Sequence, residues 1–333
     1  MSIRAKRGIF FGLALFILIG IFISTGVFYC LTHPLNEHGP DQVFYVRQGA
    51  TLRDVADRLE KEGIISSKGL LVLWSRAMHS GTRIKAGEYR LSSAMTPLKI
   101  LDMLTKGHVL THTVTIPEGF TIRQIAQELD RKGLTKKDKF VGLAMDPDLA
   151  HKYGLSSPTL EGYLYPDTYR FSRDQSALSI IDVMVKRFFE KIAPLRPHIE
   201  TSGMGLEQVV TIASLIEKET GSGEERPVIA SVFLNRLKKG MRLQSDPTVI
   251  YGIADFNGNL TRRHLKQEGP YNTYRIRGLP PGPIASPGLA AIQAVLFPAQ
   301  TDYLFFVSKN DGTHQFSRTL AEHNRAINTY QKR

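Results

Sequence analysis

VRQGATLRDVADRLEKEGI (residues 46–64) and IPEGFTIRQIAQELDRKGL (residues 116–134) align without a gap. Gly49, Thr51, Arg53, Ala56, Leu59 and Gly63 of the first recur as Gly119, Thr121, Arg123, Ala126, Leu129 and Gly133 of the second. Both copies follow one grammar. An extended segment ends at a glycine, and a threonine stands where a helix N-cap belongs. Apolar residues then follow at helical spacing: Leu52, Val55, Ala56 and Leu59, then Ile122, Ile125, Ala126 and Leu129. Gly63 and Gly133 sit where such a helix stops. A solenoid needs about three repeats to bury its core, so two copies read as two βα units. Between them, IKAGEYRLS (84–92) reads as a strand. Thr96 and Pro97 open a short helix, and HVLTHTVTI (108–116) alternates like a strand entering the second unit.

Before the repeats lies GIFFGLALFILIGIFISTGVFYCL (8–31), which contains no charged residue. About 20 such residues cross a bilayer core. Val27, Phe28 and Tyr29, ahead of Cys30, are too large for a signal-peptidase site and argue against a lipid-modified cysteine. A cleaved signal is the alternative. Arg4, Lys6 and Arg7 precede the run, so the positive-inside rule keeps residues 1–7 in the cytoplasm. Residues 8–31 are then a single-pass transmembrane helix, with everything after them on the extracytoplasmic side of the cell membrane.

The chain has 333 residues, a formal charge of +12 and one cysteine, Cys30, so no internal disulfide framework. The basic residues are scattered, with no zinc-finger or RNA-binding signature, and nucleic acid is not an expected partner. A solvated basic surface, or attraction to anionic lipid or cell-wall polymer, fits better. His108 and His112 are four apart in an extended stretch and read as a surface pair. No metal or cofactor is expected.

Downstream, LEGYLYPDTYRFS (160–172) reads as extended. Residues 174–192 read as an amphipathic helix ended by Pro194 and Pro197. Residues 206–220 are apolar almost all round, as in a core helix, with Gly221 as the stop. SGEE (222–225) has the spacing of a capping box for the next helix, which Gly240 closes. Proline-, glycine- and tyrosine-rich loops follow. A short helix at 287–296, strands in YLFFV and THQFS, and a final helix at 317–331 complete an α+β pattern.

The core helix ends in Glu217 and Glu219. At 100° per residue they lie about 200° apart and cannot work as a pair on one face. Each leans over one edge of the apolar surface, and periodicity does not choose between them. A carboxyl at the end of a buried helix has a raised pKa and can act as general acid and base. The alternative is a salt-bridged helix end.

The repeats resemble LysM modules, small βα units that bind N-acetylglucosamine-containing glycans, in their G-x-T-[LI]-x-x-[IV]-A-x-x-L run. A structural βα repeat without a ligand is the other reading. Over most of the chain, EKET, SVFLNRL, RLQSDPTVIYG, YNTY, GLPPGPIASPG and FSRTLAEHN, in that order, resemble the YceG-like, MltG-type endolytic transglycosylase family. The resemblance implies cleavage of nascent peptidoglycan strands near the membrane and termination of their elongation. It names the second glutamate of EKET, Glu219, as catalytic. Gln244, Asp246, Tyr251, Tyr271, Asn272 and Ser286 lie in the family's motif loops and are candidate glycan-binding residues. Peptidoglycan synthases are implied partners. The implied layout is a first LysM-like unit over 42–108, a second βα unit over 109–158 and a catalytic domain over 159–333. A hydrolytic glycosidase and a non-enzymatic glycan-binding scaffold are the alternatives.

Overall fold

A computed structural model describes residues 3–77, 84–219 and 222–331, with the side chains of 3–10 excluded. It is a mixed α+β chain with one N-terminal apolar helix, and it divides into two compact units. The first holds residues 1–112 with 172–174, and the second holds the remainder.

In the first unit, α1 (Ile3–Thr32) contains a 22-residue stretch, Phe11–Thr32, long and apolar enough to cross a membrane. Phe11, Phe16 and Phe22 are exposed on it, whereas Leu31 is buried. β1 (Asp41–Val46), α2 (Leu52–Lys61), α3 (Lys68–Ala77), β2 (Gly87–Ser92) and α4 (Pro97–Lys106) follow. β1 and β2 pair antiparallel, Asp41 opposite Ser92 and Val46 opposite Gly87. Period-two alternation sends Phe44 and Val46 inward and leaves Val43 and Tyr45 exposed. The inward residues pack with Val55, Leu59, Leu71, Tyr89 and Ile100 in a core of their own.

The second unit begins with β3 (His112–Thr115), whose first residue falls on the boundary, then α5 (Ile122–Arg131), α6 (Lys137–Ala144), α7 (Pro147–Lys152) and β4 (Thr168–Phe171). β3 pairs with β4. Among the described residues the first copy therefore runs strand, two helices, strand and the second runs strand, three helices, strand, each closing on a two-stranded sheet. The shared grammar is physical. Thr51 and Thr121 each form a capping box, with Asp54 and Gln124 as the reciprocal partners. Gly63 (φ +69°) and Gly133 (φ +68°) end the helices in the left-handed conformation.

The rest of the unit is α8 (Ala177–Ile192), a 3-10 turn (Ala193–Leu195), α9 (Arg196–Thr201), α10 (Leu206–Glu219), α11 (Arg226–Lys238), α12 (Asp246–Tyr251), α13 (Arg262–Lys266), α14 (Leu289–Leu296), β5 (Phe305–Ser308), β6 (His314–Ser317) and α15 (Leu320–Tyr330). β5 and β6 form an antiparallel hairpin. α10 is buried from Val209 through Ile216 and packs against α11, α12 and α14.

Several local expectations need correction. Residues 160–164 are turns, not strand, and only Thr168–Phe171 is extended. α8 does end at Ile192, ahead of Pro194, but Pro194 and Pro197 also open the 3-10 turn and α9 that follow directly, since proline suits a first turn. SGEE forms no capping box. Glu225 is the N-cap of α11 without a side-chain cap, because its carboxylate instead accepts from the amide and ring of His314. The stop at Gly221 lies outside the described residues.

Candidate active site

α10 carries its apolar surface to its last turn, so its terminal carboxyl emerges among protein rather than in water. Glu219 Oε1 accepts a hydrogen bond from Ser245 Oγ at 2.5 Å. The side chain keeps some accessible surface, but its carboxyl is densely surrounded. Burial pushes it up from an ordinary 4.5 to about 7. Asp246 pushes the same way, while the Ser245 hydroxyl, His314 and Arg236 oppose. A carboxyl at about 7 is divided between acid and base near neutral pH, as a general acid/base requires.

Ser245 is held from several sides. Its amide donates to Thr273 Oγ1 at 2.9 Å, and its carbonyl accepts from Thr248 Oγ1 at 2.7 Å. The two threonine hydroxyls are 2.8 Å apart and bond each other. Gln244, just before it, stands at φ +49°, a left-handed conformation that costs a non-glycine residue about 1–2 kcal/mol. Its amide donates to the Thr273 carbonyl. This kink turns the chain into α12 and presents Ser245 to Glu219. Arg236 ties α11 to the same region, donating to the carbonyls of Leu304 and Leu243 at 2.6 and 2.5 Å.

Glu217, two residues earlier, does a different job. Its Oε1 meets Arg226 Nη2 at 3.3 Å, and its Oε2 accepts from the Gly288 amide at 2.9 Å. Arg226 opens α11 and Gly288 is the N-cap of α14. Glu217 thus fastens two helix N-termini to the end of α10, where negative charge is favoured.

The candidate glycan-binding residues fall into three groups. Gln244 and Asp246 flank Ser245 and are exposed, and Asp246 Oδ1 accepts from Tyr274 Oη at 2.7 Å. Tyr251 and Tyr271 pack their rings 4.8 Å apart, and Tyr251 donates to Glu161 Oε2 at 3.1 Å. Asn272 and Ser286 lie within the protein. The Asn272 amide donates to the carbonyls of His264, Leu265 and Gln267. Ser286 pairs its backbone with Gly119 and Phe120, and its buried hydroxyl finds no partner among the described residues. The loop before it is pinned by α10, where Ser214 Oγ accepts from the Ile284 amide.

Two residues escaped the sequence reading. Ser245 sits between two singled-out neighbours, but nothing in periodicity marks a hydroxyl aimed at a carboxyl 26 positions away. Glu161 is buried, its oxygens 3.0 and 3.2 Å from the Ile122 amide at the start of α5. Burial drives its carboxyl up to about 8, against the opposing pull of Ile122, Tyr251 and Gly162. Gly162, beside it, stands at φ +86°, and a Cβ there would lie 2.6 Å from the Pro283 ring and 3.0 Å from Val210. Among the described residues, no group of three or more His, Cys, Asp or Glu gathers as a metal site.

Comparison with known proteins places this geometry in context. The profile of the YceG-like family matches residues 44–329. A protein of Bacillus subtilis (strain 168) named endolytic murein transglycosylase is 32% identical over 301 residues, covering 86% of this chain and 83% of that one. A protein of the same name from Streptococcus pneumoniae serotype 2 (strain D39) is 30% identical over 314 residues, but the match spans 57% of its greater length. The 2.6 Å crystal structure of a yceG-like protein from Listeria monocytogenes superposes with a TM-score of 0.60 at 35% identity, covering 86% of this chain and 99% of that one.

Proposed function

Because this chain belongs to the YceG-like family, we propose that it is an endolytic peptidoglycan transglycosylase that cuts nascent glycan strands and ends their elongation. The bond cleaved joins N-acetylmuramic acid to N-acetylglucosamine, and Glu219 is the acid/base. The observation that carries this role is a single carboxyl, on the edge of α10, held at about 7 by burial and oriented by Ser245.

Protonated Glu219 gives its proton to the leaving glycosidic oxygen. The muramoyl C6 hydroxyl bonds to C1 of its own sugar, and its proton passes to the Glu219 carboxylate. The product end is 1,6-anhydromuramoyl, no water is consumed, and the enzyme returns to its starting state. An ordinary glycosidase needs a second carboxylate to activate water or to form a covalent intermediate. An intramolecular hydroxyl removes that need.

The exposed Asp246, whose charge raises Glu219, favours a hydrolytic second reading. Product masses separate the two, since anhydro ends are one water lighter than reducing ends. Glu219→Gln should abolish anhydro product from purified strands, and persistent product would remove Glu219 from the role.

Gln244, Asp246, Tyr251 and Tyr271 are proposed to contact the glycan, with Asn272 and Ser286 shaping the loops that carry them. The catalytic region is taken as 159–333. The two repeated βα segments, within 42–108 and 109–158, are proposed as LysM-like units that meet the glycan strand. α1 anchors the enzyme as a single pass with residues 1–7 in the cytoplasm, which sets catalysis close to the extracytoplasmic membrane face and within reach of peptidoglycan synthases.

A further inference from the structure

Beside α12 lies a cleft of about 780 Å³, of which the reading above uses only Tyr251. Its lining brings together Arg123, Gln124 and Gln127 of α5, Lys218 of α10, and the aromatic side chains Tyr251 and Phe256. Arg123 and Lys218 arrive from different elements, and among the described residues neither forms an ion pair. Among the described residues Lys218 Nζ gives one hydrogen bond, 3.3 Å to the Gly119 carbonyl, which uses one of its three donors. The Arg123 guanidinium makes no hydrogen bond among the described residues, and its charge acts on Glu161 and Tyr251 of the same lining.

The acid in the lining is already engaged. Glu161 accepts from the Ile122 amide and the Tyr251 hydroxyl, and burial pushes its carboxyl up to about 8 against the pull of Arg123. A concave site with two cations, amide side chains and an aromatic wall suits an anion carried on a polar chain.

Its position says which anion. Lys218 immediately precedes Glu219. α12 begins one residue after the Ser245 that bonds Glu219 and ends at Tyr251 in the cleft. Six helical residues span about 9 Å. A lactyl group carrying two or three extended residues, at about 3.3 Å each, covers that distance.

We infer that this cleft is a subsite for the carboxylates of the stem peptide attached to the muramoyl lactyl group, with Arg123 and Lys218 as its recognition residues. The inference rests on the peptidoglycan reading. It makes the enzyme selective for strands that still bear peptide. The pyrophosphate of a lipid-linked strand offers similar charge, so the test must separate the two.

The test uses full-length protein in detergent and three substrates: peptide-bearing strands, the same strands stripped by an amidase, and lipid-linked strands. Wild type is expected to favour peptide-bearing over stripped strands in kcat/KM. Arg123→Ala and Lys218→Ala should each lower that preference roughly tenfold, mostly through KM, and Arg123→Lys should restore part of it. The preference should also weaken with added salt. In parallel, the Glu219→Gln protein is titrated with a soluble fluorescent muropeptide, and Arg123→Ala in that background should weaken binding by a similar factor.

A wild type indifferent to peptide, a preference surviving the Arg123→Ala/Lys218→Ala double substitution, or a loss confined to lipid-linked strands would overturn the inference. Peptide binding that depends on Arg123 in a protein whose wild type cleaves no strand would instead sink the transglycosylase reading and leave the subsite standing. Circular dichroism of each variant excludes unfolding as the cause.

Discussion

At the scale of single residues, the site is a problem of proton affinity. The Ser245 hydroxyl holds the Glu219 pKa down and the Asp246 charge holds it up. Ser245→Ala should therefore shift the alkaline limb of kcat/KM, expected near pH 7, to higher pH. Asp246→Asn should shift it to lower pH. A pH–rate series on the two variants checks both directions, and parallel shifts would contradict the assignment. Stability carries the same signature. Glu219 is raised from 4.5 to about 7 in the fold, so the native state holds more protons than the unfolded state between those values. Its burial is fully tolerated below about pH 4.5 and costs on the order of 3 kcal/mol once pH has passed 7. Glu219→Gln should flatten the fall of Tm between pH 5 and 8. The buried Ser286 hydroxyl has no partner among the described residues. Ser286→Ala should be neutral or stabilising, whereas a fall in kcat/KM without loss of Tm would return Ser286 to the glycan-binding set.

At the scale of elements, much was legible in the sequence because the relevant forces are local. Thr51, Thr121, Gly63 and Gly133 announce the ends of α2 and α5, since capping and left-handed turns act within a few residues. The separation of Glu217 from Glu219 was equally legible, being a consequence of 100° per residue. Their division of labour was not. It depends on Gly288 and Arg226 reaching Glu217, and on Ser245 reaching Glu219, contacts that no sequence period encodes. SGEE shows the converse failure, a correct local spacing overridden when His314 claims Glu225. Glu217→Ala should cost about 1–3 kcal/mol, because among the described residues it leaves Arg226 with only the more distant Glu118, 3.9 Å away, and the Gly288 amide without its acceptor. Glu217→Gln should cost less by keeping an acceptor for Gly288. Chemical denaturation of both variants measures the difference. Thr121→Ala should cost about 1 kcal/mol by the same method.

At the scale of the whole chain, each unit has its own core, and α1 stands apart in composition. Residues 8–31 were legible as a helix long and apolar enough to cross a membrane, because the run is uncharged over that whole length. Leu31 belongs to the first unit's packing, not to the span's exposed surface. Deleting residues 1–30, which spares Leu31, should move the protein from the membrane to the soluble fraction. Its far-ultraviolet spectrum should otherwise match a folded α+β chain, and it should still cleave detergent-free strands. Fractionation and a strand-cleavage assay check the two halves separately.

Gly162 sets a limit on how this chain can change over generations. Two separate obstacles guard it: a φ of +86° that side chains resist, and the Pro283 ring and Val210 where a Cβ would stand. Carving space at position 283 removes the Pro283 contact but leaves Val210 at 3.0 Å and a backbone cost of about 1–2 kcal/mol. Leaving glycine here therefore takes more than one change, and the intermediates are destabilised. Position 162 should stay fixed while its neighbours drift, and a saturation library at that codon should return glycine almost alone among active clones.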